Sequence, residues 1–155
     1  ALMCDVHINA TGFFLHQGQY TLDLLDRPGM TDCKPAATPA EAKPKLFAIA
    51  GQPAADAALY RSIVGALQYL TITRPDIQFA VQQVCLHMHS PRDVQWSLVK
   101  RILRYIRGTS TYGLRLRASA STELLAYTDV DWAGCSDTRR STSGYCVFFG
   151  DSLVS

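Results

Sequence analysis

Apolar and polar positions alternate at the start of the chain, and a helical period follows. Polar residues separate the apolar ones at 6–8, turn-forming residues occupy 9–12, and an apolar run resumes at 13–15. This pattern predicts a β-hairpin. From 19 to 27 the apolar residues recur about one helical turn apart, and Pro28-Gly29 ends the run, which predicts a short helix.

A helical period returns between residues 55 and 110 and is interrupted twice. Arg74-Pro75 and residues 90–93 separate three apolar runs, and Gly108 follows the last one. Proline is well suited to the first turn of a helix, so Pro75 is expected to begin the second helix. Three helices with short joints predict a compact bundle. The apolar residues of the three runs are Leu59, Ile63, Ala66, Leu67 and Leu70; Ile77, Val81, Val84, Cys85 and Met88; and Val94, Leu98, Ile102, Leu103 and Ile106.

The remaining segments have no helical period. Residues 31–54 contain prolines at 35, 39, 44 and 53 and many alanines, which predicts an extended connector. After residue 108 the period changes to two, and strands are expected at 112–117, 124–127 and 145–149, with the start of another after Gly150. The expected fold class is therefore α+β, with a three-helix unit flanked by an N-terminal hairpin and an incomplete antiparallel sheet.

The composition is that of a globular protein. Of the 155 residues, 48% are hydrophobic and 18% are charged. No apolar run approaches the roughly 18 residues of a membrane span, so no membrane partner is expected. The five cysteines form no CxxC pair, which argues against a zinc site or a disulfide framework. The first methionine is Met3 and no signal-peptide pattern is present, so the chain is expected to be a piece of a longer one.

The basic residues are concentrated in one region. Residues 92–117 contain seven Lys/Arg and one acid, whereas residues 1–91 contain six Lys/Arg and seven acids. A row of basic side chains on the third predicted helix can follow a phosphate backbone without reading base sequence. A bundle helix also needs a solvated side, for which Lys and Arg are ordinary residues. The residues of this row are Lys100, Arg101, Arg104 and Arg107.

Two carboxylates follow the apolar strand near residue 127. Asp129 and Asp131 are two positions apart, so on a continuing strand they share a face and can approach one Mg²⁺. Asp129 is the better placed, because it lies on or beside the strand. Aspartate at a strand end is also ordinary turn chemistry. A weak alternative is a phosphotransferase of the haloacid dehalogenase type, but Ala133 stands where that signature has Thr or Val.

A third candidate site is the polar segment that follows these carboxylates. Arg139 and Arg140 precede three hydroxyl residues at 141–143, and this combination can bind a phosphate. Solvated turns often have the same composition.

Several longer motifs together resemble the polyprotein of copia-type retrotransposons. The resemblance covers nearly the whole chain. It is carried by GMTDCKP at 29–35, YRSIVGALQYL at 60–70, TRPDI at 73–77, KRILRYIRGT at 100–109, DVDWAGC at 129–135 and RRSTSGY at 139–145.

The resemblance implies a division into four parts. Residues 1–30 would be the end of the reverse transcriptase palm and the entry to the thumb, and residues 31–54 the connector. Residues 55–110 would be the helical thumb and connection, and residues 111–155 a truncated ribonuclease H-like start. The polymerase signature Tyr-x-Asp-Asp is absent, so no polymerase catalysis is assigned to any residue.

The resemblance also carries over part of a metal site. Asp129 matches the first metal-binding carboxylate of ribonuclease H, and Asp131 is a less secure neighbour. Two-metal hydrolysis needs several acids, and in the family the others follow the third strand. We therefore expect the chain to be catalytically inactive alone, with Mg²⁺ bound only in the complete parent enzyme.

The expected partners are an RNA:DNA hybrid or another duplex, bound as template–primer, and the remainder of the polyprotein. If the chain behaves like the family, it is intracellular, in the cytoplasm or the nucleus. Two alternatives are a non-catalytic nucleic-acid-binding remnant and a decayed reading frame without function.

Overall fold

The computed structural model describes residues 3–40, 51–131 and 141–154, and these residues divide between two compact units. The helical unit comprises Ala1–Asp5 and His16–Gly113, and the strand unit comprises Val6–Leu15 and Leu114–Ser155. The helices are α1 (Gly18–Asp26), α2 (Ala57–Leu70), α3 (Gln78–Cys85) and α4 (Asp93–Gly108). The strands are β1 (Asp5–Asn9), β2 (Gly12–His16), β3 (Gly113–Arg117), β4 (Leu124–Asp131), β5 (Thr142–Phe149) and β6 (Ser152–Leu153).

The helices of the helical unit enclose its hydrophobic core. Each one buries apolar side chains on one side, so the predicted short helix and three-helix unit are confirmed. The buried stripe of α4 differs from the prediction in its first half, where Gln95 and Val99 are buried and Val94 and Leu98 are only half-buried. Asp56 caps α2, because its carboxylate accepts a hydrogen bond from the backbone N–H of Leu59 at 2.8 Å. The fully buried core includes Leu24, Leu25, Ile63, Leu67, Leu70, Ile77, Val84, Leu103 and Ile106.

The second predicted helix differs from expectation at both ends. Pro75–Ile77 forms a 3₁₀ turn, with Pro75 in its first turn, and α3 begins only at Gln78. The α-helix ends at Cys85, so Met88, which was expected in its buried stripe, lies in the following turn. Of the helices in residues 3–40, 51–131 and 141–154, none has the length and the apolar character of a membrane span.

One buried arginine fixes the loop between α2 and the 3₁₀ turn. Arg74 is 1% exposed, and its Nε and Nη2 donate to the two carboxylate oxygens of Asp76 at 2.9 and 2.8 Å. Its Nη1 donates to the backbone carbonyl of Thr109 at 2.9 Å, and its Nη2 to the hydroxyl of Thr109 at 2.7 Å. The rings of Tyr105 and Tyr112 lie 5.7 and 5.4 Å from the guanidinium carbon. We call these five residues the Arg74 cluster.

The strand unit contains two three-stranded sheets, with the orders β1-β2-β3 and β4-β5-β6. The N-terminal hairpin is confirmed, and its turn is held by the backbone N–H and the hydroxyl of Thr11, which both donate to the Asn9 side chain at 2.9 and 2.7 Å. β4 pairs antiparallel with β5, with Leu124 opposite Phe149 and Asp131 opposite Thr142. β6, which pairs with β5, is the strand expected after Gly150.

The prediction that residues 112–117 belong to the same sheet as residues 124–127 was wrong. β3 lies beside β2 of the hairpin instead. The hairpin turn approaches β3 closely at Gly12, where a Cβ would collide with the carbonyl oxygen of Leu116. A period of two predicts a strand but does not identify its partner, which explains the error.

The Arg74 cluster leads to a prediction on stability. Arg74→Met should lower the free energy of unfolding by about 3 kcal/mol, because it leaves the Asp76 carboxylate and the Thr109 carbonyl without their buried donor. Urea denaturation measures this loss. Arg61→Met, at an exposed arginine of α2, is the matched control and should change stability by no more than about 0.5 kcal/mol. Equal losses in the two variants would contradict the assigned role of Arg74.

The same cluster predicts an acid dependence of stability. Burial alone would raise the pKa of Asp76, but the hydrogen bonds and charge of Arg74 and the hydroxyl of Tyr105 together lower it below 3.8. Ionised Asp76 therefore stabilises the folded state above about pH 4, and this contribution is lost as the pH falls through the lowered pKa. Urea titrations across this range should show the loss in the wild type. Asp76→Asn should weaken it, and Tyr105→Phe should weaken it in part; an unchanged acid dependence in Asp76→Asn would oppose this account.

Candidate nucleic-acid interface

Helix α4 carries the basic row, and its opposite side is buried. The helix begins after Arg92, whose backbone N–H donates to the side-chain oxygen of Gln95 at 2.8 Å, and Asp93 in the first turn favours the positive end of the helix dipole. The buried stripe consists of Gln95, Val99, Ile102, Leu103 and Ile106. Because this stripe faces the core, the basic row is directed away from it.

The four basic residues of α4 are not equally exposed. Lys100 is exposed, whereas Arg101, Arg104 and Arg107 are half-buried. Residues 31–40 and 51–54 of the predicted connector are described, and the arginines are covered in part by residues 31–40. This segment contains no helix or strand, as the sequence predicts.

Each arginine donates a hydrogen bond to this part of the connector. Arg104 Nε donates to the carbonyl of Lys34 at 2.7 Å, and Arg107 Nε donates to the carbonyl of Thr31. Arg101 Nη2 donates to the hydroxyl of Thr38 at 2.9 Å. The three arginines of the basic row therefore hold residues 31–38 along the helix. This contact was not predicted from the sequence.

Two backbone features complete the contact between the connector and α4. The backbone N–H of Ala36 donates to the carbonyl of Arg104 at 3.2 Å. At the end of the helix, a Cβ on Gly108 would lie 2.9 Å from the Cβ of Pro35, so glycine permits this close approach. Gly108 was expected to act only as a stop signal, but it also makes room for the connector.

The hydrogen bonds of Arg104 and Arg107 to the connector leave the charge of these two arginines in place. A carbonyl is neutral, so a guanidinium that binds one keeps its full positive charge. Within residues 3–40, 51–131 and 141–154, neither Arg104 nor Arg107 forms an ion pair. In the same residues their hydrogen bonds use Nε, and none involves the two outer nitrogens.

The candidate metal residues lie on the last positions of β4. Asp129 is exposed, and its backbone is opposite Gly144 in β5. The strand continues to Asp131, a condition for a shared site that the sequence left open, but the side chain of Asp131 lies outside the described part of the chain. A carboxylate oxygen suits Mg²⁺, so Asp129 fits as one ligand. Among the described residues, no group of three His, Cys, Asp or Glu is placed to hold a metal ion.

Arg139 and Arg140 lie outside the described residues, so their predicted phosphate contact remains a prediction.

The Arg74 cluster was also missed from the sequence. In the sequence, Arg74-Pro75 predicts only the end of one helix and the start of the next. The available signal was the Arg-Pro-Asp tripeptide, because an arginine and an aspartate two positions apart at a helix start can pair locally. Thr109, the third member, is 35 residues away from Arg74 and has no local signal.

The chain is similar to retrotransposon proteins along nearly its whole length. It is 46% identical over 144 residues to the Retrovirus-related Pol polyprotein from transposon RE2 of Arabidopsis thaliana, which covers 93% of this chain and 10% of that protein. It is 45% identical over 145 residues to the corresponding polyprotein from transposon RE1 of the same organism, which covers 94% of this chain and 10% of the relative.

A shorter relative matches equally well. The uncharacterized mitochondrial protein AtMg00810 of Arabidopsis thaliana is 45% identical over 152 residues, which make up 97% of this chain and 62% of the relative. The chain thus spans about a tenth of each polyprotein and less than two thirds of this third protein. No family model matches the chain, and no solved structure matches it, so a ribonuclease H-like fold for the second sheet remains a prediction. With about 45% identity over more than nine tenths of its length, the chain belongs to the retrovirus-related Pol polyproteins of copia-type retrotransposons.

Proposed function

We propose that this chain is the part of a retrotransposon RNA-directed DNA polymerase and ribonuclease H polyprotein that binds the template–primer duplex. The basic row of α4 is the observation that carries the proposal, because it combines four positive side chains with a fixed helical backbone. Duplex nucleic acid presents a regular line of phosphates, and Lys/Arg contacts to these phosphates supply most sequence-independent affinity. An RNA:DNA hybrid is the duplex that such a polymerase produces.

The connector supports this function by orienting the arginines. A free arginine loses side-chain entropy when it binds a phosphate. Arg104 and Arg107 are already ordered by their Nε hydrogen bonds, so they lose less side-chain entropy when nucleic acid binds. Their outer nitrogens remain able to donate, and two parallel N–H groups match the geometry of a phosphate.

This proposal predicts the salt dependence of duplex binding. The affinity of the purified chain for an RNA:DNA hybrid of mixed sequence should fall steeply as salt is raised. Replacing Lys100, Arg101, Arg104 and Arg107 with Gln should reduce the slope of log K against log salt by about 3 to 4, since each lost phosphate contact removes about 0.9. Fluorescence anisotropy at several salt concentrations measures both slopes.

A charge-retaining variant separates phosphate contact from the support of the connector. The triple variant Arg101→Lys, Arg104→Lys and Arg107→Lys keeps every positive charge but removes the guanidinium donors to the connector. It should keep a slope near that of the wild type, with a lower affinity. Circular dichroism establishes that each variant is folded. A slope that is unchanged in the folded Gln variant would show that the phosphate contact lies elsewhere.

The proposed function assigns no cleavage activity to the chain alone. Two-metal hydrolysis requires several carboxylates around a pair of cations, and the described residues offer Asp129 as a single ligand. In the complete enzyme, Asp129 would be one ligand of Mg²⁺, which would supply Lewis-acid activation of water and charge stabilisation of the leaving oxygen.

This leads to a prediction about activity. The isolated chain should leave a labelled RNA:DNA hybrid intact in the presence of Mg²⁺, as followed by gel electrophoresis. A complete ribonuclease H serves as the positive control for the substrate. Mg²⁺-dependent cleavage that Asp129→Asn abolishes would contradict the prediction.

A further inference from the structure

The connector presents an accessible hydroxyl, that of Thr38, next to Arg101 of the basic row. Thr38 is exposed, belongs to no helix or strand, and is followed by Pro39. Its Oγ accepts a hydrogen bond from Arg101 Nη2 at 2.9 Å and donates one to the carbonyl of Ala40 at 2.9 Å. A threonine before a proline in an exposed, irregular segment has the features that a proline-directed protein kinase requires of its substrate.

We propose that Thr38 is a phosphorylation site, and that its phosphate pairs with Arg101 and lowers the affinity of α4 for nucleic acid. The pairing depends only on the contact between Thr38 and Arg101. The effect on nucleic acid rests on the function proposed above, so the two parts are tested separately.

The chemistry is a phosphoryl transfer from ATP. The hydroxyl oxygen of Thr38 forms a bond to the γ-phosphorus, the bond from that phosphorus to the β,γ-bridging oxygen breaks, and ADP leaves. The hydroxyl proton passes to the base of the kinase and then to solvent. The product is a phosphate ester with a charge of about −1.5 to −2 at pH 7.

The new group replaces a weak contact with a stronger one. The esterified oxygen can no longer donate to the carbonyl of Ala40, so one neutral hydrogen bond is lost. In exchange, the phosphate oxygens accept charge-assisted hydrogen bonds from the guanidinium that already contacts this side chain. Arg104 lies three positions after Arg101 on the same side of α4, so the added charge acts on both of these arginines. A duplex phosphate then competes with a phosphate that belongs to the chain.

A second Ser/Thr-Pro pair provides an internal comparison. Ser90 is also exposed, but Pro91 is buried and its carbonyl accepts a hydrogen bond from the backbone N–H of Ala54 at 2.9 Å. The backbone N–H of Ser90 donates to the carbonyl of His87 at 3.2 Å. Since this turn is held on both sides of Ser90, it cannot easily adopt the extended form in which kinases bind substrates. The two sites therefore differ in access while sharing the motif.

The first experiment identifies the modified residue. The full chain is incubated with a proline-directed kinase and ATP, and the phosphorylated peptide is located by mass spectrometry. Phosphate is expected on Thr38, with Thr38→Ala losing it and Ser90→Ala retaining it. Failure to label Thr38, or a label that persists in Thr38→Ala at wild-type level, would overturn the proposal.

The second experiment tests the pairing without nucleic acid. Phosphorylation should raise the thermal midpoint of the wild type by about 2 to 4 °C. The rise should be absent in Arg101→Gln and partly retained in Arg101→Lys, because lysine keeps the charge. An equal rise in wild type and Arg101→Gln would exclude the pairing.

The third experiment measures binding to an RNA:DNA hybrid by fluorescence anisotropy. Phosphorylated wild type should bind roughly tenfold more weakly than the unmodified chain, with a salt slope smaller by about 1 to 2. Thr38→Glu should shift both quantities in the same direction. If the unmodified chain binds and phosphorylation changes neither quantity, the regulatory role is overturned and the proposed function stands. If the unmodified chain does not bind, the proposed function fails, and the thermal shift alone decides the pairing.

Discussion

The buried guanidinium of Arg74 is the constraint on which the helical unit depends. A guanidinium removed from water must have hydrogen-bond acceptors for its N–H groups. Arg74 donates from Nε, Nη1 and Nη2 to Asp76 and Thr109. Its acceptors belong to the start of the 3₁₀ turn and to the residue that follows α4, so the loop after α2 and the end of α4 cannot separate without exposing the charge or leaving it unpaired. The planar geometry of arginine makes this arrangement specific, because a lysine presents a single nitrogen and cannot bind both partners in the same way.

The position of α4 determines what its opposite side can do. Once the buried stripe and the Arg74 cluster have set the rotation of the helix, Arg101, Arg104 and Arg107 meet the connector, and Lys100 remains exposed. The same three arginines thus serve the fold and carry the positive charge of the proposed interface. For Arg104 and Arg107 these roles are compatible because the connector carbonyls that they bind are neutral. A carboxylate at the same place would have stabilised the connector more strongly, but it would also have cancelled the charge.

Hydrophobic period was sufficient to predict the hairpin, α1, α2 and α4, and the basic row could be assigned to one side of α4. It was insufficient wherever structure depends on distant residues. The predicted partner of β3 was wrong, because alternation identifies a strand and its two faces but not the neighbouring strand. The contacts of Arg104 with Lys34 and of Arg74 with Thr109 span 70 and 35 residues, and neither leaves a local pattern. The connector has no period, so its path along α4 could not be inferred from its own residues.

The geometry of the arginines also bears on whether nucleic acid must displace the connector. Hydrogen bonds that involve a charged group contribute about 1.5 to 3 kcal/mol each, so displacing the connector from Arg104 and Arg107 would consume much of the energy gained from two phosphates. Both of these bonds use Nε, which lies on the inner edge of the guanidinium, whereas phosphates are best bound by a pair of parallel N–H groups. The two outer nitrogens of each guanidinium can donate such a pair of hydrogen bonds to a phosphate while Nε keeps its hydrogen bond to the connector. Binding beside the connector therefore costs less than binding in its place, and a segment without secondary structure becomes a part of the interface.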